Sequence, residues 1–230
     1  GVAAVGLSFF CASLISLEYL SQQTAQLVYG FSWINAGELD VPIELVLDQI
    51  SCMMLLVITG LGFLIHVYAG WYMRGEIRTY RFFSYLNLFV FMMLLLVLGN
   101  NLLVMLVGWE GVGLCCYLLL GYCFRNEAKA TAGMKVFIVN RIGDLGFLIG
   151  IFLVYSYFGT LSFSKLQIYC QNEGFVRNLS GSTLNWITLC FFVGACCKSA
   201  QLPFHVWVPE TVVGPAPATA FIHAVAMVIA

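Results

Sequence analysis

NLLVMLVGWEGVGLCCYLLL, residues 101–120, carries a single charge, Glu110. A helix rises about 1.5 Å per residue, so roughly 20 apolar residues are what a bilayer core of about 30 Å requires. An apolar surface on every side suits a helix immersed in lipid or in other helices, not one lying at a water boundary. The stretch reads as a membrane span, and its neighbours on both sides repeat the pattern.

The 230 residues are 61% hydrophobic and 9% charged, against about 25% charged in an ordinary soluble domain. So few charges cannot cover a water-soluble surface. The chain is read as an all-α polytopic membrane protein, a single transmembrane domain over 1–230. Seven apolar stretches qualify as helices: about 2–20, 46–70, 82–99, 101–122, 132–158, 184–207 and 216–230. They are helical because a bilayer core leaves no water for an unpaired backbone. Residues 1–17 lack the basic start of a signal peptide. Both ends fall inside apolar runs, so the chain is expected to be part of a longer or split protein.

The loop near 71–81 holds Arg74, Arg78 and Arg81, and that near 123–131 holds Arg125 and Lys129. If each helix crosses once, these loops share a side, and the positive-inside rule puts it towards the cytoplasm or matrix. Trp71, Tyr72 and Tyr122 are expected at the interface. The other side has 21–45, with Glu38, Asp40 and Glu44 but no cation, and 159–183, with Lys165 and Arg177. Segment 30–45 is polar enough for a surface hairpin.

The net charge of −1 and the absence of a basic, aromatic-rich patch give no sign of nucleic acid. The nine cysteines form neither a zinc spacing nor an iron–sulfur ligand set, and the pairs Cys115-Cys116 and Cys196-Cys197 read as packing residues. No Gly-rich nucleotide fingerprint is present. Neither a cofactor nor a metal is expected in this chain.

The information lies in charges that should not be in lipid. A lysine, arginine or aspartate at a helix centre costs about 2.5–3.5 kcal/mol on insertion scales, so each needs a partner, a cavity or a task. Glu110 is too short to snorkel from its depth, and it fits either proton handling or a static ion pair. Gly108, Gly111 and Gly113 beside it allow close helix approach. Arg141 and Asp144, in VFIVNRIGDLGFLIG, are three apart and can pair along one face. Asn140 shares that face, and Lys135 is near enough to the helix end to snorkel.

Lys198, in CCKSAQLPFHVW, lies ~18 Å along its helix counting from Trp186. Gln201 and His205 follow at helical spacing, so a continuous helix would align the three in a polar stripe. Pro203 has no N–H and would free the carbonyl of Ser199, breaking the helix beside a charge. Broken helices of this kind build midplane ion sites in transporters. His223, in PAPATAFIHAVAMVIA, can relay protons or serve as a hydrogen-bonded packing residue. His66 reads as an interhelical hydrogen-bond donor.

GWEGVGLCCYLL (108–119), NRIGDLG (140–146), KSAQLPFHVWVPE (198–210) and GPAPATAFIHA (214–224) together resemble the antiporter-like membrane subunits of respiratory complex I, and within them the subunit 5 branch. The resemblance implies a core of two inverted five-helix repeats with broken helices. This chain would hold most of the first repeat and the start of the second, with its break near Lys198–Pro203. It also implies proton transfer through Glu110, Lys198 and His223, with Arg141, Asp144 and His205 in support. Glu210 departs from the usual Asp, and GPAPATAFIHA from the commoner GPTPVSALIHA.

The implied function is proton translocation coupled to quinone reduction, as one subunit of an NADH:ubiquinone oxidoreductase. FMN, iron–sulfur clusters, NADH and ubiquinone would belong to partner subunits. The partners implied are other membrane-arm subunits, above all a neighbouring antiporter-like one, together with membrane lipids and a second polypeptide if the later helices are encoded apart. The alternatives are the large subunit of a multisubunit sodium/proton antiporter, or a structural remnant needed for assembly. Scarce charge with abundant Phe and Cys favours the mitochondrial inner membrane over a bacterial plasma membrane or a plastid membrane.

Overall fold

Capping residues set where the apolar runs become helices. A computed structural model describes residues 1–22, 25–37, 39–76, 78–123, 126–172 and 181–226. Helix α1 spans Val2–Gln22, and a hairpin follows, β1 Gln26–Ala36 and β2 Leu39–Leu47. Asp48 then accepts the Ser51 N–H at 2.7 Å and starts α2, Gln49–Tyr72. After α3, Thr79–Leu98, Asn101 accepts from Val104 N at 2.8 Å and starts α4, Leu102–Leu120. Asn126 opens α5, Glu127–Phe158, which stops at Gly159 in the left-handed conformation (φ 65°). Each cap satisfies N–H groups that a helix start leaves without a partner.

Among the described residues α6, Phe163–Gln171, and α7, Gly181–Lys198, follow. The chain then runs through 3-10 turns at Phe204–Trp207 and Pro209–Val213 into the short α8, Ala216–Phe221, and a π-helical turn at Ile222–Ala226. Helices α1 to α5 are long and apolar enough to cross a membrane, by length and composition. The expected span 184–207 is not a continuous helix, whereas the described part of 216–230 is helical, α then π. The first ends at Lys198, and of the second only 216–226 is described. Glu38, Arg125 and Arg177, used above to orient the loops, lie outside the described residues.

The hairpin is longer than 30–45 and docks on a helix turn. Asn100 N donates to Glu44 O at 3.0 Å, and Asn100 Nδ2 donates to Glu44 Oε2 at 2.8 Å. Leu102 N donates to Leu161 O and Phe163 N to Asn100 O, so the hairpin, the α3–α4 turn and the α5–α6 turn share one end of the bundle. The loops after α2 and α4 lie at the other end, as alternate crossing requires. Tyr122 is buried against Phe82, with ring centroids 5.5 Å apart. Trp71 and Tyr72 are exposed.

Glycines set the helix spacing, as small residues do between membrane helices. A Cβ on Gly108 would lie 2.6 Å from Leu96 N of α3, and one on Gly143 would overlap the Cys197 side chain of α7. Gly108→Ala is expected to push α3 from α4 and to cost about 1–3 kcal/mol, as overpacking does. Unfolding of the purified variant in denaturing detergent checks this, and an unchanged midpoint contradicts it.

The helix break beside Lys198 precedes Pro203. Ala200 takes φ 55°, its N–H reaches Cys197 O at 3.3 Å, and Gln201 N reaches Cys196 O at 2.8 Å. This 6→1 and 5→2 pair is a Schellman ending, with alanine where glycine is usual and a proline shortly after. Ala200→Gly is therefore expected to stabilise the protein by about 0.5–1 kcal/mol. A lower detergent or thermal midpoint in that variant would contradict a strain at Ala200.

Candidate functional site

Three elements bring the intramembrane charges together. Helix α4 carries Trp109, Glu110 and Gly113, α5 carries Arg141 and Asp144, and α7 ends on Lys198. Arg141 forms an ion pair with Glu110 across α4 and α5. On the other side Arg141 Nη1 lies 3.6 Å from Asp144 Oδ2, and Lys198 Nζ lies 4.0 Å from Asp144 Oδ1. The four groups make an alternating string, Glu110–Arg141–Asp144–Lys198, with two charges of each sign.

The string runs from flank to interior. Glu110 and Arg141 border a groove, lined further by Ile138, Ile142 and Leu145, that opens on the side of the bundle. Their side chains are 27% and 36% exposed, against 5% for Asp144 and 7% for Lys198. Trp109 fixes the middle by donating its indole N–H to Asp144 Oδ1 at 2.7 Å. Lys198 Nζ stands 5.6 Å from the Trp109 ring centroid, a cation–π distance. Gly113 leaves room for it, since a Cβ there would meet Nζ at 2.8 Å.

Lys198 Nζ and Asp144 Oδ2 are buried without a hydrogen-bond partner among the described residues. At an effective dielectric of about 20, opposite charges 4 Å apart attract by on the order of 4 kcal/mol. Each member's protonation is therefore tied to its neighbours' charge. A cluster of this kind can pass a proton by changing which neighbours are paired.

The other predicted residues fall elsewhere. Because α7 ends before Gln201, the stripe Lys198–Gln201–His205 does not form. Gln201 and His205 are exposed, and no hydrogen bond or ion pair joins the His205 side chain to the string among the described residues. Pro203 stands beyond the helix end and does not free the Ser199 carbonyl from a helical bond. At the helix end Cys197 O accepts the Trp207 indole N–H at 2.9 Å in addition to the Ala200 N–H. His223 meets Thr211 at 2.8 Å, and no hydrogen bond links it to Lys198.

His66 is not an interhelical donor: its Nδ1 lies 2.7 Å from Gly62 O of its own helix. Lys135 does not only snorkel, since it pairs with Glu210 at 2.7 Å and ties α5 to the segment after the break. The eight cysteines with described side chains are free thiols, and the described residues contain no metal-binding cluster. Sequence reasoning missed Trp109. Its one local signal is an indole N–H deep in an apolar run, which must find an acceptor.

An alternating charge string that runs from a groove to a buried lysine beside a broken helix is the kind of arrangement found in ion-handling polytopic membrane proteins. Residues 99–230 match the family described as NADH:quinone oxidoreductase/Mrp antiporter, transmembrane, and the chain belongs to it. Residues 33–83 match the N-terminus of NADH-ubiquinone oxidoreductase (complex I) chain 5. Subunit L of the NADH-quinone oxidoreductase of Escherichia coli (strain K12) is 42% identical over 233 residues, covering 100% of this chain and 37% of that protein. The subunit L proteins of Pseudomonas aeruginosa (43% over 233 residues, 100% and 37%) and Mycobacterium tuberculosis H37Rv (42% over 230 residues, 100% and 35%) are similar too. The chain spans little more than a third of these relatives.

Among solved structures, a chain of the Mrp complex from Dietzia sp. DQ12-45-1b superposes with a TM-score of 0.82 at 25% identity, covering 99% of this chain and 24% of that one. A chain of the membrane-bound sulfane sulfur reductase, an archaeal respiratory membrane complex, gives 0.83 at 18% identity over 98% of this chain and 44% of that one. The latter likeness bears on fold alone.

Proposed function

We propose that this chain is part of a proton-translocating membrane subunit of an NADH:quinone oxidoreductase. The observation that carries this reading is Lys198, buried at 6% exposure at a helix break, with a carboxylate 4.0 Å away as its one counter-ion among the described residues. Arg141 acts as the switch. While it pairs with Glu110, Asp144 is left to hold Lys198 protonated. When charge changes outside the groove neutralise Glu110, Arg141 closes its 3.6 Å gap to Asp144. Lys198 then loses its counter-ion and passes its proton on towards His223. His205 stands outside this route.

Redox chemistry belongs to partner subunits that hold FMN, iron–sulfur clusters and the NADH and ubiquinone sites. The partners proposed here are the other membrane-arm subunits, first a neighbouring antiporter-like subunit facing the Glu110 groove, and whatever stretch of chain supplies the later helices of a core of two five-helix repeats, of which this chain would hold seven spans. Composition favours the mitochondrial inner membrane, while the relatives above are bacterial, and either membrane sustains a proton gradient. A second reading, an Mrp-type sodium/proton antiporter subunit, is favoured by the superposition on the Dietzia complex.

The complex that contains this chain separates the two when purified and placed in vesicles. Flavin and iron–sulfur signals should copurify, and NADH oxidation by quinone should acidify the lumen. Sodium-dependent proton exchange from a preparation free of those signals would overturn the proposal in favour of the antiporter.

A further inference from the structure

Thr211 carries an unusual set of bonds. It is fully buried in the 3-10 turn Pro209–Val213, between the helix break and α8. Its hydroxyl donates to Val208 O at 2.7 Å and lies 2.8 Å from His223 Nε2. Its carbonyl accepts from Thr219 Oγ1 at 2.8 Å and from Gly214 N at 3.1 Å. Thr219 and His223 are four apart, on one face of the chain leaving α8. The neighbouring Glu210 is tied to Lys135 of α5 at 2.7 Å. Thr211 is therefore gripped from several sides and has little freedom to turn.

A hydroxyl has one proton to donate and two lone pairs to accept with. The proton of Thr211 goes to Val208 O. The contact with His223 must then run the other way, from a protonated Nε2 to the threonine oxygen. The hydrogen bond made by one imidazole nitrogen sets the role of the other. We propose that Thr211 is a positioning residue that fixes the tautomer of His223, keeping the ring proton on Nε2 and leaving Nδ1 as the nitrogen that accepts an arriving proton. This deepens, and rests on, the proton-handling role proposed above for His223. It gives that residue a direction of entry: an arriving proton is taken at Nδ1.

The tautomer is read without turnover by nitrogen-15 solid-state NMR on the full protein in its membrane complex, with labelled histidine in this chain alone. Subtracting the spectrum of His223→Asn isolates the His223 ring, read at a pH where its two nitrogens give distinct signals. The expected result is a protonated Nε2 and a bare Nδ1 in the native protein and in Thr211→Ser. Thr211→Val should shift to a mixture or to a protonated Nδ1. A protonated Nδ1 in the native protein, or an unchanged Thr211→Val spectrum, overturns the proposal. If Thr211→Val does not assemble, the native and Thr211→Ser spectra decide. A native spectrum as expected from a complex that pumps no protons would retire the functional reading and leave the tautomer assignment standing.

Discussion

Lys198→Met is expected to abolish proton translocation through this subunit while the complex still assembles. Methionine keeps the unbranched stem and its contacts but removes the ammonium. Lys198 Nζ makes no hydrogen bond among the described residues, and its nearest anion is 4.0 Å away. Removing one partner of a buried pair is costly when the charge left behind has no other partner, and here the charge left behind does have partners. Asp144 would keep the Trp109 indole and the Arg141 guanidinium. Stability is therefore no obstacle, and the variant isolates the charge as the functional element. Proton-to-electron ratios in vesicles, with assembly followed on native gels, test the expectation. A normal ratio would reduce the string to interhelical glue, which is the structural-remnant alternative.

The sequence exposed the ingredients of the string but not its wiring. Glu110, Arg141, Asp144 and Lys198 were legible singly because each is a costly residue inside an apolar run. The pairing across α4 and α5 was not, because local spacing places Arg141 beside Asp144 and says nothing of which turn of α4 faces them. That register is set by glycines that let α3, α4, α5 and α7 approach closely. The long apolar spans were legible from length alone. The first turn of α5 was missed because Glu127 and Lys129 are polar, although Asn126 caps it. Helix α6 is nine residues of mixed polarity, too short to show a period. Pro203 marked the neighbourhood of the helix break, but the ending itself is made at Ala200, where no glycine advertises a left-handed residue. That displacement of a few residues removed His205 from the predicted stripe.

Asp144→Asn is expected to do more damage than Lys198→Met, although it changes fewer atoms. The amide oxygen can still accept the Trp109 indole, so packing is preserved. What is lost is the charge facing Lys198, and the ammonium is left buried with no anion at 4.0 Å. Removing one partner of a buried pair costs about 3–5 kcal/mol because the other charge remains desolvated and uncompensated. Arg141, released from one of its two carboxylates, adds to the local excess of positive charge. Assembly should fall sharply in the single variant. The double variant Asp144→Asn/Lys198→Met removes one charge of each sign and leaves Glu110 paired with Arg141. Its assembly should return close to that of Lys198→Met, while proton translocation remains absent. Such a departure from additivity, several kcal/mol in a denaturation cycle, is what two residues in contact produce and distant ones do not. Equal assembly of the single and double variants would mean that Asp144 is not the counter-ion of Lys198. The Arg141 switch would then have no means of reaching the lysine, because Asp144 is the only group in the string that touches both cations.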